Sequence, residues 1–251
     1  MRLNNKLYDL FEDKGKKIKI ELVCLGLGYT AVTTSDGGIG ISYTYFDRKT
    51  SCSLVRSYCD YEGRPAIELL EKIKSDDAIE RSMALALINA LNYPRALSLP
   101  EDPQNKIMFE ILGVHAGTKV AMVGYFRPLV TYLKTQQLPL KILDDFHGLG
   151  RKESFYEKLG NWADVLFLTS TSLLNNTTEE ILAKVGKRVR TVMLGPSTPM
   201  VGEAFNHLPV HILAGTVPID SEKVLKAVRH GIGTRFIHLH SKKSYCIPQQ
   251  S

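Results

Sequence analysis

Small polar residues and glycines recur in five short clusters in the second half of the chain. Hydroxyl groups donate or accept hydrogen bonds at short range, and glycine lets a ligand approach the backbone. The clusters are Gly124-Tyr125-Phe126, Asp144-Asp145, Thr169-Ser170-Thr171 with Asn175 beyond it, Gly195-Pro196-Ser197-Thr198-Pro199, and Ala214-Gly215-Thr216. Their residue types suit the binding of a small polar ligand, although each cluster alone is also typical of an ordinary turn.

Asp144 raises the question of an adenosine-containing ligand. It lies twenty residues after Gly124, where an acid in a dinucleotide-binding fold holds ribose hydroxyls. The glycine fingerprint G-x-G-x-x-G is absent, because Gly124 is followed by the bulky residues Tyr125, Phe126 and Arg127. An enzyme that uses a nicotinamide nucleotide or S-adenosylmethionine therefore stays open as an alternative.

Metal ligands and nucleophiles are less well indicated. The four cysteines are scattered and form no C-x-x-C pair, and no G-x-S-x-G nucleophile motif occurs. His238 and His240 are at strand spacing, which predicts that both face the same side, but no cysteine or acid accompanies them at metal-site spacing. We expect Ser197, at a predicted strand–helix turn, to be a helix cap or an anion contact.

The elements that must position the clusters alternate between short apolar strands and helices from residue 119 onward. The predicted strands are Val120–Val123, Leu140–Leu143, Val165–Leu168, Thr191–Leu194 and Val210–Leu213, followed by a last apolar stretch, Arg235–Leu239. This alternation is typical of an α/β fold with a doubly wound parallel sheet. Ligands bind outside the carboxyl ends of such strands, where the five clusters lie.

The first part of the chain has a different pattern. Helical spacing at the N-terminus precedes strand-like alternation and an Asp36-Gly37-Gly38 turn, which predict a three-strand meander between about residues 17 and 58. Pro65 opens a helix, and Ser75-Asp76-Asp77 offers the cap of a second helix that runs to about Asn92. With Tyr93–Asp102 as a linker, we expect a smaller α+β domain at residues 1–104 and the larger domain at residues 105–251.

Composition narrows the class of protein. The 251 residues are 44% hydrophobic and 23% charged, with a net charge of +6. Residues 111–251 carry 17 basic and 10 acidic side chains, but the basic ones are dispersed and lack interleaved aromatics, so we do not expect nucleic acid as a partner. The sequence has neither a membrane-length apolar run nor an apolar secretion signal, which favours a cytoplasmic protein with no membrane partner.

Four runs of the second half resemble the "putative heavy-metal chelation" family. They are Met122–Phe126, Ala163–Asn175, Leu194–Met200 and Leu213–Thr216, and the likeness covers roughly residues 110–240. The first part, with Leu27-Gly28-Tyr29-Thr30 and Gly38-Ile39-Gly40, is similar to the small domain that accompanies it. The resemblance implies a Rossmann-like domain preceded by an enolase N-terminal-like α+β domain, with a site in the cleft between them.

The strand ends and the resemblance together predict one set of ligand-binding residues. They are Tyr29, Thr30, Asp36, Gly38, Gly124, Tyr125, Phe126, Asp144, Thr169, Ser170, Thr171, Asn175, Gly195, Pro196, Ser197, Thr198 and Gly215. Oxygen donors such as Asp36 and Asp144 suit harder cations than the soft metals that prefer thiolates.

Three functions compete for this set. The first is the binding of a small molecule or metal chelate, or the processing of a metal-chelating compound, with a transition metal ion or its chelate as the cofactor. The second is the enzyme with an adenosine cofactor, and the third is a nucleic-acid or protein interaction module driven by the basic second half. The sequence leaves open whether the protein is an enzyme and whether it forms a homo-oligomer.

Overall fold

The computed structural model describes residues 2–46 and 59–249, and its first part contains a three-strand antiparallel sheet flanked by helices. Its elements are α1 (Arg2–Lys17), β1 (Ile20–Leu25), β2 (Tyr29–Thr34), β3 (Ile39–Tyr43), α2 (Ala66–Leu70) with a 3-10 turn (Glu71–Lys74), α3 (Ala78–Leu91) and α4 (Tyr93–Ser98). We call β1–β3 the small sheet. The predicted meander is present, and residues 47–58 of its predicted range lie outside the described residues.

Helix α3 begins where the sequence predicts. The side chain of Asp77 accepts a hydrogen bond from the N–H of Ile79, which satisfies one of the free donors of the first turn. The first six residues of the predicted linker at Tyr93–Asp102 form helix α4. Pro94 lies in the first turn of α4, where proline costs no helical hydrogen bond, so this proline opens a helix instead of interrupting one.

The rest of the chain forms a six-strand sheet with helices on both faces. Its elements are α5 (Lys106–Leu112), β4 (Val120–Val123), α6 (Arg127–Thr135), β5 (Leu140–Leu143), α7 (Lys152–Asn161), β6 (Val165–Thr169), α8 (Thr171–Leu174), α9 (Thr178–Leu182), β7 (Arg190–Leu194), α10 (Gly202–Phe205), β8 (Ile212–Pro218), α11 (Ser221–Arg229), α12 (Thr234–Leu239) and β9 (Ser241–Cys246). We call β4–β9 the large sheet.

The strand order of the large sheet confirms the mixed α/β fold. It is β5-β4-β6-β7-β8-β9, in which the first five strands are parallel and β9 is antiparallel. The parallel strands follow the order 2-1-3-4-5, one of the two common doubly wound arrangements. In this order β5 lies on one side of β4, and β6 and the later strands lie on the other side. The crevice between β4 and β6 is therefore the switch point.

The last apolar stretch differs from the expectation. Residues 234–239 are helix α12, and the strand at this end of the chain is β9. His238 therefore lies on a helix and His240 just follows it, so the prediction that both face the same side of a strand is wrong. The stretch is short, and a short apolar run does not distinguish a helix from a strand by periodicity.

The small sheet is packed between two layers of helices. Tyr29, Ala31 and Ile41 on one face join Val224 and Ile237 of α11 and α12 in a buried cluster. The other face lies against α3. Among the described helices, none has the length and apolarity to cross a membrane.

Candidate functional site

The carboxyl ends of β4, β6 and β7 touch one another through two glycines. Gly124 has φ +90°, and a Cβ added to it would lie 2.9 Å from the Cβ of Thr169. Gly195 has φ +127°, and a Cβ there would lie 2.7 Å from the Oγ of Ser170. Both positions combine a left-handed φ with close contact, so each excludes a side chain for two reasons. We call residues 124–126, 144–147, 169–171 and 195–197 the rim.

Hydroxyl groups line the rim at the switch point. The Oγ1 atoms of Thr169 and Thr171 are 2.9 Å apart, and the backbone N–H of Thr171 donates to Thr169 Oγ1 at 3.3 Å. Both threonines are half-buried, whereas Ser170 is buried. Since each hydroxyl offers a donor and two acceptor lone pairs, the pair keeps hydrogen-bonding capacity for a ligand.

Asp144 is part of a cluster that sequence reasoning missed in part. Its Oδ1 accepts hydrogen bonds from the backbone N–H of His147 at 2.8 Å and from the ring Nδ1 of His147 at 2.7 Å. The His147 ring lies against Tyr125, with ring centroids 4.7 Å apart. The sequence signal for His147 is the spacing Asp-x-x-His directly after a predicted strand, which returns the imidazole to the carboxylate in a tight turn.

Residues of the first part of the chain cover the rim at β7. The backbone N–H of Tyr43 donates to Ser197 Oγ at 2.7 Å, and both Ser197 and Thr198 are buried. Asn92 Nδ2 donates to the carbonyl of Met200 at 3.3 Å. The cleft is tightly packed here, because the cavity that Thr198 and Met200 line has a volume of only about 10 Å³. Within residues 2–46 and 59–249, His147 is exposed and Tyr125 and Asp144 are half-buried, and we call this part of the rim, at β4 and β5, the uncovered side.

The structure places the predicted residues of the small sheet in contacts of their own. Tyr29 OH is hydrogen-bonded to Thr234 Oγ1, and Thr30 Oγ1 to Thr44 Oγ1. Asp36 forms an ion pair with Lys14 at 2.9 Å. Burial acts to raise the pKa of Asp36, but hydrogen bonds from Lys14 and Thr34 outweigh it and hold the pKa below its ordinary value. Gly38 packs against the carbonyl oxygen of Ala90.

The remaining predicted residues lie after the strands, except Gly215, which lies inside β8, so the prediction that Ala214-Gly215-Thr216 ends a strand is wrong. Phe126 is the N-cap residue of α6, and Asn175 Oδ1 accepts from Thr177 Oγ1 at 2.7 Å. Pro196 is half-buried beside Gly195, and Gly215 packs against the side chain of Met200.

A larger cavity of about 430 Å³ lies away from the rim hydroxyls, between α5 and α6. Phe109 and Tyr132 are among its lining residues, and their rings are stacked with centroids 4.9 Å apart. Its lining includes no rim residue, and Pro128, two residues after Phe126 in the chain, is the lining residue nearest to the rim in sequence. The hydroxyl pair and the Asp144–His147 pair are not part of its lining.

Comparison with known proteins finds family models that match both parts of the chain. A family model described as "putative heavy-metal chelation" matches residues 107–247, more than half of the chain. The chain belongs to this family. A second family model with the same description matches residues 8–92, so both parts of the chain carry the family's pattern.

Relatives of this chelation-family protein match it over nearly its full length. An uncharacterized protein of Methanocaldococcus jannaschii is 22% identical over 265 residues, covering 96% of this chain and 95% of its own. Two solved structures from the same family, each with unknown function, are also similar. The one from Desulfitobacterium hafniense has a TM-score of 0.74 at 18% identity and covers 96% of this chain and 98% of its own, and the one from Pyrococcus horikoshii has 0.75 at 20% and covers 98% of each. At these identities the structures show a shared fold.

The family description poses the question of which side chains hold a metal ion. Residues 2–46 and 59–249 contain no group of three or more His, Cys, Asp and Glu side chains placed to hold one. Cys24, Cys59 and Cys246 are free thiols, and Cys52 lies outside the described residues. Burial raises the pKa of Cys246 to about 12, so this thiol stays protonated at neutral pH. The described side chains therefore do not fit a chelating centre built from protein ligands alone.

Proposed function

We propose that the rim binds a small molecule that carries its own chelated metal ion. The observation that supports this most is the switch point between β4 and β6, where a pair of threonine hydroxyls lies beside Gly124, which has no side chain. Open α/β sheets bind their ligands at this place in the fold.

The donor set favours a metal chelate over a bare ion. Asp144 and His147 together offer one carboxylate and one imidazole, and described side chains do not add the third ligand that a protein-built centre needs. A transition metal ion here keeps most of its coordination from another molecule. The rim then recognises the organic part of the chelate through hydroxyl and backbone groups.

The rim residues have the following roles in this proposal. Gly124 and Gly195 let the ligand approach the backbone, Thr169 and Thr171 hydrogen-bond its polar atoms, and Tyr125 offers an aromatic face. Phe126, Asn175, Pro196, Gly215 and the predicted residues of the small sheet stay predictions as ligand contacts.

The test is thermal unfolding with two sets of additives. Iron, zinc, nickel and cobalt are added as simple salts and as complexes with citrate, iminodiacetate or a catecholate. We expect complexes to raise Tm more than the salts do, because a ligand at 100 times its Kd stabilises the folded state by about 2.7 kcal/mol. The variant Thr171→Val should lose this shift, whereas Thr135→Val, whose hydroxyl bonds only its own helix α6, should keep it.

Two outcomes would contradict the proposal. Equal shifts with salts and complexes would favour direct ion binding. A shift with adenosine nucleotides and none with complexes would favour the alternative cofactor enzyme, for which the placement of Asp144 at the end of the strand beside β4 is the supporting observation. Pro128 weakens that alternative, because it removes one N–H donor from the first turn of α6, where a cofactor's phosphates would bind.

A further inference from the structure

The side chains of His147 and Asp144 form a hydrogen-bonded pair at the uncovered side of the rim. The Asp144 carboxylate is largely buried, with 13% of its side chain exposed, whereas the imidazole of His147 is 43% exposed. Asp144 also pairs with Leu149 through two backbone hydrogen bonds, which close the turn. The N–H of each residue donates to the carbonyl of the other. The turn therefore holds the carboxylate in place, and the imidazole is the more exposed member of the pair.

The hydrogen bond determines which imidazole nitrogen is available. A carboxylate only accepts hydrogen bonds, so Nδ1 of His147, 2.7 Å from Asp144 Oδ1, must carry the proton. In the neutral ring this leaves the lone pair on Nε2. Histidines that bind metal ions commonly have this arrangement, in which a carboxylate orients the ring and increases its basicity.

Aromatic rings flank the imidazole. Tyr125 lies 4.7 Å from it at the end of β4, and Phe146 lies 5.1 Å from it with 92% of its surface exposed. The rings restrict how the imidazole turns. They also offer apolar faces to the organic part of a chelate that approaches Nε2.

We propose that Nε2 of His147 is the protein's own ligand to the metal ion of the bound chelate, and that Asp144 is the residue that positions it. This inference rests on the proposed function of the rim. His147 would supply one nitrogen ligand to an open coordination position of that ion, and Asp144 would hold the ring in the orientation that this needs. Imidazole suits zinc, copper, iron and nickel, so a chelate of one of these ions with an open coordination position fits the site.

The test uses copper(II) iminodiacetate, a chelate with open coordination positions, and side-chain nitrogen NMR of the histidines. In the free protein we expect His147 to show the Nδ1–H tautomer. On titration, the resonances of His147 should broaden at a concentration at least ten times lower than those of His115. His115 is a matched control, because it is also exposed and bonds a backbone carbonyl through Nδ1, but it precedes β4 at the opposite end of the strands.

Two variants separate the pair from a general affinity for exposed histidine. His147→Gln should lose the tight binding, and Asp144→Asn, which keeps an oxygen for the backbone N–H of the turn, should weaken it about 10- to 100-fold. His115→Gln should leave it unchanged.

The failures are distinguishable. An Nε2–H tautomer, equal broadening of His115 and His147, or tight binding that survives His147→Gln would overturn the role of His147. If His147→Gln binds normally while Thr171→Val does not, the rim still binds chelates and only the inference is wrong. If the wild-type protein binds chelates no more tightly than the exposed control residue His115 alone does, the proposed function fails as well.

Discussion

Two neighbouring residues of one loop show how differently similar side chains act. Ser197 and Thr198 follow β7, both are buried, and the sequence predicts both as ligand contacts. Ser197 Oγ accepts the backbone N–H of Tyr43, which joins the end of the small sheet to the large sheet. Within the described residues, Thr198 Oγ1 is buried without a hydrogen-bond partner. Ser197 therefore contributes to stability in a way that Thr198 does not.

We expect Ser197→Ala to lower the free energy of unfolding by about 1 kcal/mol, because the partly buried N–H of Tyr43 loses its acceptor. Thr198→Val, which replaces an unpaired hydroxyl by a methyl group of similar size, should change it by less than about 0.5 kcal/mol. Urea unfolding measures both. Equal stability of the two variants would show that the Tyr43–Ser197 bond is unimportant.

At the scale of elements, the small sheet approaches helix α3 at backbone distance. A Cβ added to Gly40 of β3 would lie 2.1 Å from the carbonyl oxygen of Ala86 and 2.2 Å from the backbone nitrogen of Ala90. These are atoms of the α3 backbone, so no change of rotamer relieves the clash. The alanines of α3 and the glycine of β3 thus form one close contact.

We expect Gly40→Ala to destabilise the protein by about 3 kcal/mol or more, at the upper end for overpacked sites, because sheet and helix must separate. Gly28→Ala is the matched control, since a Cβ there meets nothing within 4 Å. Thermal unfolding compares the two. A Gly40→Ala variant as stable as Gly28→Ala would show that β3 and α3 are not in contact.

Across the whole molecule, the first part of the chain bonds to the segments that follow β6 and β7 and to the last residue of β8. Arg81 Nε donates to the carbonyl of Leu174 at 2.7 Å, and Tyr93 OH to the carbonyl of Pro218 at 3.0 Å. The small sheet also packs on α11 and α12. The division into domains at residues 1–104 and 105–251 stays a prediction, and these contacts favour unfolding of both parts in one transition.

Acid should destabilise the molecule through histidines that are held neutral. Burial is the main cause that lowers the pKa of His207, His211 and His238, and Arg190 adds to it at His211. Nδ1 of His211 accepts the backbone N–H of Thr191 at 3.0 Å, which requires an unprotonated ring nitrogen.

Because these pKa values are lower in the folded state, the unfolded chain binds more protons as pH falls through its histidine pKa of about 6.5. We expect the free energy of unfolding to fall between pH 7 and pH 5.5. His211→Asn, whose oxygen still accepts from Thr191, should reduce this slope. Thr135→Val, which replaces no ionisable group, should leave the slope unchanged. Chemical unfolding over this pH range decides, and a flat profile for wild-type protein would contradict the expectation.

The sequence by itself determined the alternation of strands and helices, the mixed α/β class and four of the five predicted strand ends; the fifth, Ala214-Gly215-Thr216, lies inside β8. These follow from local periodicity and turn chemistry, which neighbouring residues carry. The sequence did not predict helix α12, because its six residues make too few turns to show a helical period.

Only the tertiary structure decided which strand ends are covered and which are open. The covering of Ser197 depends on Tyr43, 154 residues away in the chain, and the ring of His147 lies against Tyr125 of the preceding strand end. Local sequence patterns do not predict such distant pairings, because they arise when separately formed elements bury their apolar faces against one another.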